Sequence, residues 1–278
     1  MKSTKVSSPF RWLLISMIFL VVGILFVNGS SGRVEAVSLD RRQVLPSGTA
    51  RPTGDQDSLI YTAHRQPSLS LGSSVLVLKI KTTTKTAFFE MERETPVLYG
   101  LKDPNVQNWL NSRIRAPLIA FTDNLRKQAE RDYRQWPQDQ EFRTYIAHVS
   151  YDVTLNNDRL LSMVATMYQY TGGAHGLSFL EPFNFDLHTG KALRLADLFA
   201  PGVDYQGLIR AEINRQMAQN PERFFEPRLP ENWVPGEHRF YLTEDAVVVF
   251  FDLYEIAPYA SGIPQFAIPY SLLGDLLP

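Results

Sequence analysis

Two periodicities alternate along the chain. Val75, Val77 and Lys79 face one way and Leu76, Leu78 and Ile80 the other, which predicts a strand over 74–81. Residues 82–97 are β-prone, with Phe88 and Phe89. Asp103-Pro104 then supplies an N-cap and a proline at the first helical position. After it Val106, Leu110, Ile114, Leu118, Phe121 and Leu125 recur every three or four residues, a long amphipathic helix that Pro117 is expected to kink or divide. Period two returns at Tyr145, Ala147, Val149, Tyr151, Val153 and Leu155. Asn156-Asn157-Asp158 makes a turn and 160–170 the return strand. Phe179, Phe183, Phe185 and Leu187 line one face of a further strand, closed by the turn His188-Thr189-Gly190-Lys191. A short helical turn at 195–199 and a helix capped by Asp204 follow. Residues 240–242 and 246–253 form a second hairpin, and 265–268 a last strand. Strand runs joined by tight turns predict an α+β fold, with antiparallel sheet and helices packed on one face, rather than a parallel βαβ array.

The first 73 residues follow neither period. Lys2, Lys5 and Arg11 precede an apolar run from Trp12 to Val27, and the next charge is Arg33. That order places the N-terminus in the cytoplasm and the rest beyond the membrane. As a helix the run would span about 24 Å against a hydrocarbon core of about 30 Å. It is short for a transmembrane span and long for a signal-peptide core. Residues 1–28 are therefore a signal anchor or a signal peptide, and Val34-Glu35-Ala36 offers a cleavage site near Ala36. The expectation is a single-pass membrane protein with its C-terminal domain extracytoplasmic, or a secreted one. Residues 29–73, rich in Gly, Ser, Pro and Thr, are expected to be a flexible linker.

Composition narrows the chemistry. Net charge is −1, so no excess of cations points to nucleic acid. With no cysteine there is no disulfide framework, thiolate nucleophile or zinc thiolate. His64, His148, His175, His188 and His238 form no helix-borne metal pair. His175, Asp186 and His188 flank one strand and are candidate ligands, though turn histidines are commonly solvated. Asp252 and Glu255 read either as a carboxylate pair or as a strand-end ion pair. The most unusual stretch is Tyr170-Thr171-Gly172-Gly173-Ala174-His175-Gly176. Its glycines allow positive φ and close backbone approach, as an anion-binding nest or as a bulge or crossover. No catalytic residue, metal site or cofactor is assigned.

At this stretch the sequence resembles a known family. The residues are Thr171–Gly176, Phe183-Asn184-Phe185-Asp186, Thr189-Gly190-Lys191, Leu195-Ala196-Asp197-Leu198-Phe199, Tyr254-Glu255-Ile256-Ala257-Pro258-Tyr259-Ala260-Ser261-Gly262 and Phe266-Ala267-Ile268-Pro269-Tyr270. They are similar to an exported bacterial domain family of unknown function. It is shared by the lysozyme-binding ectodomain of RsiV-type anti-sigma factors and by the region ahead of the catalytic domain in PdaC-type peptidoglycan deacetylases. Residues 74–170 resemble the PdaC-type N-terminal half and 171–278 the RsiV-type C-terminal half. The resemblance implies a domain that binds a lysozyme-like protein or a peptidoglycan fragment, with membrane contact only through residues 12–27. Gly172, Gly173, His175, Tyr254, Glu255 and Tyr259 are the candidate ligand-binding residues. Eleven residues precede Trp12, too few for a sigma-binding domain, and no metal-dependent deacetylase motif occurs. The expectation is thus a non-enzymatic binding or sensing domain. A wall-modifying hydrolase built on His175, Asp252 and Glu255, or a structural envelope protein, are the alternatives.

Overall fold

The computed structural model describes residues 60–63, 75–237 and 239–273. The run 12–27, the candidate cleavage site, His64 and His238 lie outside them. No helix among the described residues is long and apolar enough to cross a membrane.

Six strands form the larger sheet in sequence order: β1 (Ile60–Ala63), β2 (Leu76–Lys85), β3 (Phe89–Tyr99), β4 (Tyr145–Asn156), β5 (Leu160–Tyr170) and β6 (Leu177–Asp186). β1 lies inside the stretch expected to be linker; it pairs with β2, Ile60 opposite Lys81. A four-residue strand is too short to announce itself by alternation. Every neighbouring pair is antiparallel except β3 and β4, which run parallel from Phe89–Tyr145 to Arg93–Val149. The wholly antiparallel expectation fails there because a helix, not a tight turn, joins them, and a helical crossover returns the chain in the same direction.

That helix, α1 (Pro104–Gln135), is about 48 Å long. Asp103 caps it, accepting from the Asn105 N–H at 2.8 Å. Leu110, Ile114, Leu118, Thr122, Leu125 and Ala129 form its buried stripe. They pack on Val149, Leu161, Met163 and Phe185 at one end and on Phe89, Met91 and Ala147 at the other. Pro117 does not divide the helix. It sits off the buried stripe, and the carbonyl it cannot bond belongs to Arg113, an exposed residue.

A second core joins α2 (Tyr205–Met217) to a three-stranded antiparallel sheet of β7 (Phe240–Leu242), β8 (Ala246–Phe250) and β9 (Gln265–Pro269). Ile209, Ile213 and Met217 pack with Phe240, Val247, Val249, Phe266 and Ile268. Asp204 caps α2 through the Gly207 N–H at 2.9 Å. The chain is therefore a mixed α+β fold with largely antiparallel sheets and two long helices.

A buried polar cluster ties the sheets together. Ser162 on β5 donates to Asn184 Oδ1 on β6 at 2.7 Å and accepts from the Leu242 N–H at 2.8 Å and the Thr154 hydroxyl at 3.2 Å. Asn184 Nδ2 donates to the Phe240 carbonyl at 2.8 Å. The edge of β7 that β8 leaves unpaired is thus satisfied by two side chains of the larger sheet.

Asp186 does similar work in the turn after β6. Its Oδ1 accepts from the N–H groups of His188 and Thr189 and from the Thr189 hydroxyl, while Oδ2 takes Arg159 Nε at 3.1 Å. Gly190, at φ +72, has room for no Cβ, which would meet Val106 Cγ1 of α1 at 2.9 Å. Burial alone would raise the Asp186 pKa, but the Thr189 and Arg159 hydrogen bonds hold it below its usual value. Arg194 first, then Lys191, hold Asp197 far below the carboxylate range against the opposing effect of burial.

These two depressed carboxylates predict acid lability of one sign. A folded-state pKa below the unfolded one gives stability that is present above the unfolded value of about 4 and lost as pH falls through the folded value. Asp186→Asn should therefore be less stable than the parent at pH 7, with the gap in denaturant midpoint narrowing as pH drops from 5 to 2. A gap independent of pH would show that the Asp186 charge contributes nothing.

Candidate functional site

The glycine-rich stretch is neither a bulge nor a crossover. It is the hairpin loop between β5 and β6, whose last pair is Gln169–Leu177. Gly172 adopts φ +84, and its carbonyl accepts from Arg143 Nη1 at 2.9 Å. The Gly173 carbonyl accepts from the Tyr170 hydroxyl at 3.1 Å, and the Gly176 carbonyl from the Tyr259 hydroxyl at 2.9 Å. The loop thus turns carbonyl oxygens toward side-chain donors, the opposite polarity from an anion nest. Gly176 is closely approached: a Cβ there would sit 2.3 Å from the Tyr168 ring, which would have to shift.

The second segment arrives from the smaller sheet. After β8 the chain turns at 252–255, where Glu255 N–H donates to the Asp252 carbonyl and Asp252 N–H to Glu255 Oε2. Arg239 clamps that turn, 2.7 Å from Asp252 Oδ2 and 2.5 Å from Glu255 Oε2. The closure sets Tyr254 at φ +66, the only non-glycine residue with positive φ among the described residues. A one-turn 3-10 helix at Tyr259–Ser261 follows.

The two segments meet. His175 stacks on Tyr259 with centroids 4.0 Å apart, and Tyr254 lies against Tyr259 at 5.9 Å. The Tyr254 hydroxyl is 3.4 Å from His175 Nε2, while His175 Nδ1 is 3.0 Å from the Gly176 carbonyl. Tyr254 is half exposed. The result is an aromatic surface of three rings bordered by an arginine and two carboxylates. Large amphipathic rings with polar tips suit protein or carbohydrate contact.

All six candidate residues fall in this neighbourhood, in three roles. His175, Tyr254 and Tyr259 form the surface; Gly172 and Gly173 shape the loop behind it; Glu255 holds the 252–255 turn. The hydrolase grouping is less favoured by the contacts: Asp252 and Glu255 engage Arg239, while the His175 nitrogens face a carbonyl and a tyrosine hydroxyl. No cluster of three or more His, Asp or Glu able to hold a metal occurs among the described residues, and Asp186 spends one oxygen on its own turn and the other on Arg159. Sequence reasoning missed Arg239. Nothing local marks it, because its partners lie 13 and 16 residues further on and are brought back only by the β7–β8 hairpin.

The end of the same 3-10 turn, Ser261, borders a polar cleft of about 280 Å3. Gln216, Gln219, Asn220, Arg223 and Phe224 line it from one segment, and Ser261 with Ile263 to Phe266 from the other.

Comparison with known proteins finds two family matches along the chain. Residues 82–178 match the family described as "Deacetylase PdaC", and 196–271 match DUF3298, a family of unknown function. The chain is 25% identical to the peptidoglycan-N-acetylmuramic acid deacetylase PdaC of Bacillus subtilis over 60% of this chain and 37% of that protein. It is 28% identical to an esterase of Mycobacterium tuberculosis over 41% of this chain and 51% of that one, so it spans well under two thirds of either. The anti-sigma-V factor RsiV of Bacillus subtilis is 22% identical over 79% of this chain and 80% of its own length. A DUF3298-family structure from Pseudomonas aeruginosa superposes with a TM-score of 0.55, covering 75% of this chain and 97% of that one at 19% identity, which supports the fold. The chain is thus similar over residues 82–178 to the PdaC family and over 196–271 to DUF3298, and is related in sequence to the PdaC deacetylase and to RsiV.

Proposed function

We propose that the chain is an envelope-displayed, non-enzymatic binding or sensing domain whose contact surface is the His175–Tyr254–Tyr259 patch. The observation that carries this reading is Tyr254. It is held in a left-handed conformation that costs a non-glycine residue about 1–2 kcal/mol, yet its ring is half exposed and fills no core. Backbone strain at a ring that stays at the surface is a mark of a functional position. The kinship with a lysozyme-binding anti-sigma factor and a peptidoglycan deacetylase supports a lysozyme-like protein or a cell-wall glycan as the ligand. In this reading residues 12–27 anchor the chain, or are removed by cleavage near Ala36, and the described domain faces outward. The esterase and deacetylase kinship favours one other reading, a hydrolase that uses His175 with Asp252 or Glu255.

The test is a binding titration of the full chain in mild detergent against lysozyme and against soluble muropeptides, with an ester- and amide-hydrolysis assay run beside it. Saturable binding of one ligand at micromolar concentration, without turnover, is expected. Turnover lost in His175→Ala would replace binding with catalysis, and no binding of either ligand up to high micromolar would sink the reading.

A further inference from the structure

We propose that the cleft between the end of α2 and residues 261–266 is a separate subsite for a carboxylate-bearing acetamido sugar. This rests on the reading above only in taking the ligand from cell-wall glycan.

Three features point that way. First, the cleft is lined by unspent polar groups. The side-chain amides of Gln219 and Asn220 make no hydrogen bond with any described residue, and Asn220 does not cap the 3-10 turn that it precedes. Gln216 and Gln265 are held in place by Ala267 O and Tyr241 OH, each keeping one free end of its amide. An amide offers a donor and an acceptor together, which matches an acetamido group. Second, Arg223 spends one of its five donors, on the Ser261 carbonyl at 3.3 Å. Its forked guanidinium suits a carboxylate. Third, Phe224, braced by stacking on Phe266 at 5.9 Å, gives an apolar wall for the C–H face of a ring. A volume of about 280 Å3 sits just below the range of about 300–1,000 Å3 typical of small-ligand pockets, which fits one sugar unit and not an extended peptide.

The subsite shares one 3-10 turn with the aromatic patch. Tyr259 and Ser261 belong to one 3-10 turn, so the ring that stacks on His175 and the hydroxyl that bonds the Arg223 carbonyl at 2.9 Å are two residues apart. A glycan lying over the patch would place a neighbouring unit at the cleft.

The test is a chemical-shift titration of the full chain in mild detergent with N-acetylmuramic acid and with N-acetylglucosamine, which lacks the carboxylate. N-acetylmuramic acid should bind in the millimolar range, with shifts at Gln219, Asn220 and Ser261, and roughly tenfold more tightly than N-acetylglucosamine. Arg223→Ala should erase that preference, and Gln219→Ala should weaken both sugars. Both residues are exposed, so folding should be unaffected. Equal binding of the two sugars, a preference that survives Arg223→Ala, equal competition by inorganic phosphate, or no shifts at 20 mM (about the top of that range) would overturn the subsite. Its fate is separable from that of the patch. If macromolecular binding persists while these sugars do not bind, only the subsite falls; if the sugars bind here and no macromolecule binds the patch, only the patch reading falls.

Discussion

Asn184→Ala is expected to destabilise the domain by about 3–5 kcal/mol. The side chain is buried and spans two sheets, bonding Ser162 on one side and the Phe240 carbonyl on the other. Removing it leaves the Ser162 hydroxyl proton and the Phe240 oxygen without their partners in a dry interior, at about 1–3 kcal/mol each, and adds a small cavity. Ser162→Ala should cost less, about 2–3 kcal/mol, because the Leu242 N–H and the Asn184 oxygen lose a partner but little volume is removed. The double variant should cost clearly less than the sum, since the two residues share one network. Urea unfolding of the four proteins measures this. An Asn184→Ala cost below about 1 kcal/mol, or strict additivity, would show that water or relaxation satisfies these groups and that the cluster does not tie β7 to the larger sheet.

That result would also separate two kinds of motif residue. Asn184, Asp186, Gly190 and Asp197 stand in the stretches that carry the family resemblance, yet each is spent inside the fold: on β7, on a turn, against α1 and on Arg194. His175, Tyr254 and Tyr259 stand in the same stretches and present rings at the surface. A motif alone cannot tell these apart; burial and hydrogen-bond partners can.

The sequence was informative where structure is local. Alternation around the Asn157 turn gives the β4–β5 hairpin, and Asp103 and Asp204 cap the two helices as their positions imply. It was uninformative where pairing is chosen at a distance. Period two says that a strand has two faces, not which neighbour it takes, so the parallel β3–β4 pair and the β1 edge are invisible to it. The candidate surface follows the same rule. Its two segments are recognisable singly, but His175 and Tyr254 are 79 residues apart and Gly176 and Tyr259 are 83 apart. Only the packing of the smaller sheet against β5 and β6 brings them together.

Tyr254→Gly isolates that surface from the stability of the fold. Glycine relieves the left-handed penalty of about 1–2 kcal/mol. Against this stand the extra chain entropy that glycine loses on folding, about 0.5–1 kcal/mol, and the lost contact with the Tyr259 ring, of similar size. The terms nearly cancel, so the unfolding midpoint should correspond to a change within about 1 kcal/mol of zero. Binding should behave quite differently. A half-exposed tyrosine in an aromatic contact surface is the kind of residue whose truncation costs at least about 1.4–2 kcal/mol, a weakening of tenfold or more. Tyr254→Asn should act in the same direction, since asparagine also tolerates positive φ while removing the ring. The titration against lysozyme and muropeptides decides it. Unchanged affinity in both variants would mean that the strained tyrosine is not a contact residue. A loss of stability well beyond 1 kcal/mol would mean that its ring holds the Gly172–Gly176 loop in place instead of meeting a ligand.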